Sequence, residues 1–244
     1  REVRIPAVAS KRINMPDVAE SIIAKGEADM VRMARPLLAD PAWVNKAARG
    51  AADEINTCIA CNQACLDHTF SQKLASCLVN PRAGNELNLN FHPTPKVKKI
   101  AVVGAGPAGL AASTLAAQRG HNVTLFDSGS EIGGQFNLAK KVPGKEEFYE
   151  TIRYFGKQIQ ITGVNLHLNT LATPDTLKGF DEVILATGVT PRDAKIPNNG
   201  GHAVSYYDVL AHNAPVGKRV AVVGAGGIGF DISEFVTHDP AHPA

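Results

Sequence analysis

Four cysteines and two glycine-rich turns are the residues of this chain whose types and spacing could do chemistry. Cys58, Cys61, Cys65 and Cys77 are its only cysteines and follow the pattern C-x2-C-x3-C-x11-C. Four thiols this close, in a chain without marks of secretion, point to a metal rather than to disulfides. Three short-range thiolates can wrap one face of a metal centre, and a fourth beyond a longer loop can close the cage. A [4Fe–4S] cluster needs one cysteine per iron. A four-cysteine zinc site is the alternative, but it usually has two separated C-x2-C knuckles, and Cys65 and Cys77 do not form one.

The first glycine turn, Gly104-Ala105-Gly106-Pro107-Ala108-Gly109, is G-x-G-x-x-G between an expected strand and an expected helix. Its first glycine permits the tight turn, the second lets backbone approach a pyrophosphate, and the third lets helix and strand pack closely. The helix N-terminus then favours the phosphate charge. Asp127 ends the next strand, where a carboxylate can accept from ribose hydroxyls. Glycines at Gly133 and Gly134, followed by Gln135, either bring the chain close to a bound cofactor or make a plain turn. Gly224-Ala225-Gly226-Gly227-Ile228-Gly229 repeats the fingerprint. Thr187 and Gly188 suit the crossing between two nucleotide-binding units. Two fingerprints imply two dinucleotides, the arrangement of an enzyme that passes hydride from a nicotinamide to a flavin. The residue that would choose between NAD and NADP is expected beyond Ala244.

These groups need elements to hold them. Val3–Ser10 and Asp29–Ala34 read as buried strands. Pro16 suits the first turn of a helix reaching Ala24, with Asn14 as a cap, and Pro41–Arg49 reads as a second helix. This β-α-β-α order belongs to a (β/α) barrel or a doubly wound sheet. Residues 57–80 hold the cysteines without a clear period, and Pro93-Thr94-Pro95 with Lys96–Lys99 reads as a linker. A new unit then begins: strand Lys99–Val103, helix Ala108–Gln118, strand Asn122–Asp127, helix Phe148–Ile161, strand Asp181–Ala186, strand Arg219–Val223, and a helix from about Gly227.

The 244 residues are 44% hydrophobic and 20% charged with a formal net charge of +2. That composition supports real cores and gives no basis for nucleic-acid binding. No apolar stretch approaches the roughly 18 residues of a membrane span. The opening Arg1–Pro6 does not read as a signal peptide, so a cytoplasmic location is expected, and both ends read as cut from a longer protein. Arg12 and Arg35 each follow an expected strand of the first unit, where late loops of a β/α barrel commonly hold a phosphate. Trp43 is expected to pack a helix on its core, and His68 to be a solvated loop residue or to hydrogen-bond near the metal.

At these residues the chain resembles a known family. Arg12-Ile13-Asn14, Ala28-Asp29-Met30-Val31 and Ala34-Arg35-Pro36-Leu37-Leu38-Ala39-Asp40-Pro41 are similar to the last two β/α units of an old-yellow-enzyme-type FMN barrel. Cys58–Asp67 with Cys77–Pro81 resembles the cluster loop of the iron–sulfur members of that group. Glu131–Asn137 and Gly226–Asp231 are similar to the NADPH-dependent 2,4-dienoyl-CoA reductase branch. The resemblance implies an α/β protein built as the C-terminal end of a (β/α)8 barrel (1–50), an iron–sulfur loop and linker (51–95), a Rossmann-like FAD domain (96–190) and the start of an NAD(P) domain (191–244). It implies electron flow from NADPH through FAD, a [4Fe–4S] cluster and FMN to a conjugated dienoyl-CoA from unsaturated fatty acid β-oxidation. The family's proton-donating Tyr and His belong to earlier barrel segments, so no residue here, including Tyr206 and Tyr207, is expected to be catalytic. Three other readings remain: a trimethylamine-dehydrogenase-type flavoenzyme, a zinc-stabilised nucleotide-binding module without chemistry, and a silent remnant. The oligomeric state is not legible.

Overall fold

A computed structural model describes residues 4–192 and 195–239. Val3, the start of the first expected strand, lies outside them. The first unit contains strand β1 (Val8–Ser10), helix α1 (Pro16–Ala24), strand β2 (Met30–Arg32), and helices α2 (Arg35–Ala39) and α3 (Trp43–Ala48). β1 and β2 pair in parallel, with Ala9 opposite Val31. Both strands are shorter than the apolar runs suggest. Ala7, just before β1, takes the Asp29 carboxylate on its N–H at 2.6 Å, so part of the pairing there is made by a side chain.

Pro36 stands in the first turn of α2, where its missing N–H costs nothing. This helix was not expected from the sequence. The cap of α1 differs too: Met15 occupies the N-cap position without a side-chain bond. Asn14 instead donates through Nδ2 to the Cys58 carbonyl at 3.1 Å, and its own carbonyl accepts from the buried Trp43 indole at 2.9 Å.

The second unit holds strand β3 (Lys99–Val103), helix α5 (Pro107–Gln118), strand β4 (Asn122–Phe126), the short α6 (Phe136–Ala139), the long α7 (Phe148–Thr162), and strands β5 (Asn165–His167) and β6 (Glu182–Leu185). Between the units lies a one-turn α4 (His68–Phe70). The four strands are parallel in the order β5-β4-β3-β6. Chain order reverses between β3 and β6, the kind of switch point where open α/β sheets bind ligands. Leu125 and Val102 are fully buried opposite each other, and Ile100, Leu110, Ile159 and Val164 complete this core. Gly163, in the left-handed region at φ +70°, ends α7.

Helices α8 (Tyr206–His212) and α9 (Gly227–Thr237) make a smaller core from Val209, Leu210 and Ile232, with Leu138 of α6 packed against it. The expected strand at Arg219–Val223 is not formed. A strand needs a neighbour for its N–H and C=O groups, and no described residue pairs with this run, which leaves Val223 79% exposed. Among the described residues no helix is long and apolar enough to cross a membrane.

Helix α5 sits against the turn that precedes it with no space to spare. A Cβ added at Gly109 would lie 1.8 Å from the Gly104 carbonyl oxygen. We expect Gly109→Ala to destabilise this unit by about 3 kcal/mol or more, read as a lowered thermal midpoint of the intact protein.

Candidate functional site

Two sites can be built from these elements, a groove and a thiol pocket. The groove opens over the C-terminal ends of β3, β4 and β6 and has a volume of about 1350 Å³. Its floor is the first glycine turn. Gly104 adopts φ +106°, and a Cβ there would stand 2.3 Å from the Ala186 carbonyl, so only glycine fits. Gly106 has nothing within 4 Å of an added Cβ and leaves bare backbone facing the groove. Pro107 opens α5, whose first amides point the same way.

The sequence-predicted residues Gly104, Gly106, Pro107, Ala108, Asp127, Gly134, Gln135, Thr187 and Gly188 all line this groove. Gly109 does not; it fixes helix to turn. Asp127 is anchored by backbone: Oδ2 accepts from the Ala105 N–H at 2.6 Å and Oδ1 from the Gly129 N–H at 2.7 Å. A carboxylate has about four acceptor sites, so capacity remains for a ligand hydroxyl. Gly134 backs onto Gly106, and the Gln135 amide crosses to the Val189 carbonyl. Lys140, Lys141 and Tyr207 also line the groove. Sequence reasoning missed them, although two adjacent lysines soon after a glycine pair were a signal for an anionic ligand. A bare, glycine-lined cradle at a helix N-terminus, in a groove this large, fits a dinucleotide.

The second fingerprint repeats the turn. Gly224 has φ +120°, and a Cβ on Gly229 would meet the Gly224 oxygen at 2.0 Å. Gly226 is again open. Among the described residues no strand pairs beneath this second turn.

Cys58, Cys61, Cys65 and Cys77 line one small pocket together with Arg35 and Asn62. The local backbone is bent to bring them there. Ala60 and Asn62 both take positive φ, and residues Gln63–Asp67 form a π-turn that carries Cys65. The Ser76 N–H donates to the Ala64 carbonyl at 2.7 Å, which docks the Cys77 strand of the loop on the first three cysteines. Burial raises the thiol pKa of Cys58, opposed in part by a backbone hydrogen bond from Ala60 and the Arg35 charge. Burial raises that of Cys77 as well.

Four thiols with a cation beside them, and no carboxylate or imidazole in the lining, are the donor set of a thiolate-held centre. Among the described residues no three metal-binding side chains converge on a single ion. His68 stands outside the lining, its Nδ1 donating to the Leu74 carbonyl at 2.9 Å.

Arg12 and Arg35 go to different partners. Arg12 pairs with Glu147, at the start of α7. Arg35 donates to the Asn62 side chain at the cysteine pocket. Each guanidinium uses one nitrogen in the contact described and has further N–H donors.

The model of the pyridine nucleotide-disulphide oxidoreductase family matches residues 98–238. The chain belongs to that family. Residues 1–54 match the NADH:flavin oxidoreductase / NADH oxidase family, so β1 and β2 are the end of an old-yellow-enzyme-like barrel. Both families are, by their descriptions, oxidoreductases. Similar curated proteins include a metal reductase of Desulforamulus reducens, 42% identical over 94% of this chain and 35% of its own length. An NADH oxidase of Thermoanaerobacter brockii is 36% identical over 98% of this chain and 38% of its own. The solved 2-naphthoyl-CoA reductase superposes with a TM-score of 0.91 at 38% identity, covering 96% of this chain and 36% of that one. The chain thus spans little more than a third of these relatives.

The thiol pocket makes one prediction. In metal-free protein at pH 8, the raised pKa values leave Cys58 and Cys77 with less thiolate than a free cysteine peptide. Iodoacetamide should modify both several-fold more slowly, with rates still climbing past pH 9; a plateau below pH 9 would contradict this.

Proposed function

We propose that the protein carrying this chain is a nicotinamide-dependent iron–sulfur flavoprotein that reduces a conjugated acyl-CoA thioester, with 2,4-dienoyl-CoA as the specific substrate. The observation that carries this reading is the presence, in one folded chain, of a dinucleotide groove, a four-thiol pocket and a second glycine fingerprint. A two-electron donor and an acceptor held elsewhere need such a set of stations. An acyl-CoA as the acceptor is supported by the likeness to 2-naphthoyl-CoA reductase.

The residues divide the work as follows. Gly104, Gly106, Pro107 and Ala108 present backbone to the pyrophosphate of FAD, and Asp127 accepts from its ribose. Gly134 and Gln135 close the turn over it, while Thr187 and Gly188 border the side facing the nicotinamide unit. Gly224, Gly226 and Gly229 form the NADPH turn. Cys58, Cys61, Cys65 and Cys77 hold a [4Fe–4S] cluster. Bound in these places, the flavin supplies exchange between hydride and single-electron chemistry, and the cluster supplies single-electron carriage. Residues 1–50 complete an FMN barrel whose acid and base groups come from other parts of the protein.

The test is composition and turnover of the intact protein purified without oxygen. We expect iron and acid-labile sulfide near four each per chain, FAD and FMN, and NADPH oxidation dependent on dienoyl-CoA. Cys61→Ser should abolish electron flow from NADPH to FMN and leave reduction of FAD by NADPH nearly unchanged. Zinc without sulfide, or oxidation of a tertiary amine in place of dienoyl-CoA reduction, would overturn the proposal.

A further inference from the structure

Helix α7 touches the segments that support the groove and the thiol pocket. On its inner side, Phe155 and Ile159 belong to the sheet core. Ile152 stands 2.9 Å from where a side chain on Gly133 would begin. The Gly133 N–H donates to the Ala105 carbonyl at 2.8 Å, so the turn that closes the groove is braced directly against α7.

The other side of α7 carries Arg153. Its Nη1 donates to the Asp53 carbonyl, and its Nη2 to the Ile55 carbonyl at 2.8 Å and the Thr57 hydroxyl at 3.1 Å. Its Nε is held by Glu150 at 2.5 Å. One turn on, Lys157 pairs with Asp53 at 2.7 Å. Ile55 and Thr57 are 0% and 1% exposed, and Thr57 immediately precedes Cys58. A guanidinium presents five donors in a rigid planar fork. Here that fork spans alternate residues of the segment that delivers the first cysteine. An ammonium cannot reproduce that geometry.

We propose that Arg153 is a positioning residue for electron passage: through α7 it sets the separation between the dinucleotide groove and Cys58. The idea rests on reading the groove and pocket as stations of one path. NADPH hydride brings two electrons to the flavin. Each passage moves one electron to an oxidised cluster, and the flavin's protons pass to water. The rate of such a step falls steeply with distance, so a loosened Cys58 segment slows it while the chemistry at either station is unchanged.

The experiment compares Arg153→Met and Arg153→Lys with the wild-type intact protein. Hydrogen exchange reads the latch. Arg153→Met should speed exchange at residues 55–58 at least tenfold, with β3 and β4 unaffected. Rapid mixing with NADPH reads the passage: flavin bleaching within twofold of wild type, cluster reduction slowed at least tenfold, and partial recovery in Arg153→Lys. If the Met variant does not fold, Thr57→Val, which removes one acceptor of the fork, should give a smaller change in the same direction in both readouts. Iron and flavin present, with cluster reduction unchanged in the variants, would sink the positioning role alone. Wild-type protein lacking iron or flavin would sink the reading of function instead.

Discussion

The contact between Gly109 and the Gly104 carbonyl governs how the nucleotide-binding unit is assembled. A methyl group at Gly109 would lie far inside van der Waals contact distance of that oxygen, and one at Gly104 would collide with the Ala186 carbonyl. Helix α5, the end of β3 and the segment after β6 therefore meet backbone to backbone. Contacts of this kind leave little room for sliding, because backbone has no rotamers to adjust. The groove is what remains when three segments are drawn together at one point and diverge from it. Its floor is bare backbone because packing demands glycine at Gly104 and Gly106 carries no side chain, and bare N–H groups at a helix start are what a phosphate needs. Packing selects Gly104 and Gly109, binding selects the open Gly106, and one six-residue turn carries all three.

The cysteine pocket is secured differently, by buried polar groups. Asp40 is 4% exposed and accepts from the Ala42 N–H at 3.0 Å, the Lys46 ammonium at 2.6 Å and the Asn56 N–H at 2.8 Å. Asn56 in turn donates to the Val79 carbonyl at 2.7 Å, between Cys77 and the barrel end. Lys46 also lies over the ring of Tyr154 on α7. Burial, with the Asp40 charge adding to it, pushes the Tyr154 hydroxyl up to about 12, so the phenol stays neutral through the physiological range. Removing one member of such a set leaves the others buried and unpaired, which costs more than the set contributes when whole. A loop with three left-handed non-glycine residues, Ala60, Asn62 and Gln72, needs partners of this kind to hold its shape.

What was legible in the sequence was local. Strand β3, helix α5 and strand β4 follow from periodicity and fall within a residue of their expected ends. The four cysteines declared a common pocket by spacing. Short elements escaped: α2 is five residues behind a proline, and β5 is three residues with no alternation to read. Helix α8 carried a signal that went unused, since Ser205 caps it by accepting from the Asp208 N–H at 3.0 Å. Arg12 and Arg35 were placed by analogy with a phosphate site, yet each has a side-chain partner that no pattern announces. Arg153 and Ile55 are 98 positions apart. Contacts at that range leave no periodic trace.

The two glycine fingerprints separate what a motif encodes from what a fold must add. Their turns are nearly superposable in kind: positive φ at Gly104 and Gly224, and the third glycine pressed on the first glycine's oxygen at 1.8 and 2.0 Å. Those features arise from hard-sphere contacts within six residues and appear wherever the residues do. Beneath the first turn lies a buried strand paired on both sides. Beneath the second, Arg219–Val223 has no partner among the described residues and its valines are exposed. The fingerprint therefore specifies a turn and the start of a helix, and the sheet turns it into a binding site by fixing where neighbouring strand ends stand. At the first turn those neighbours are Asp127 and Thr187, supplied by β4 and β6. A motif alone would have given both loops equal standing, and only the strand ladder distinguishes the completed groove from the isolated turn.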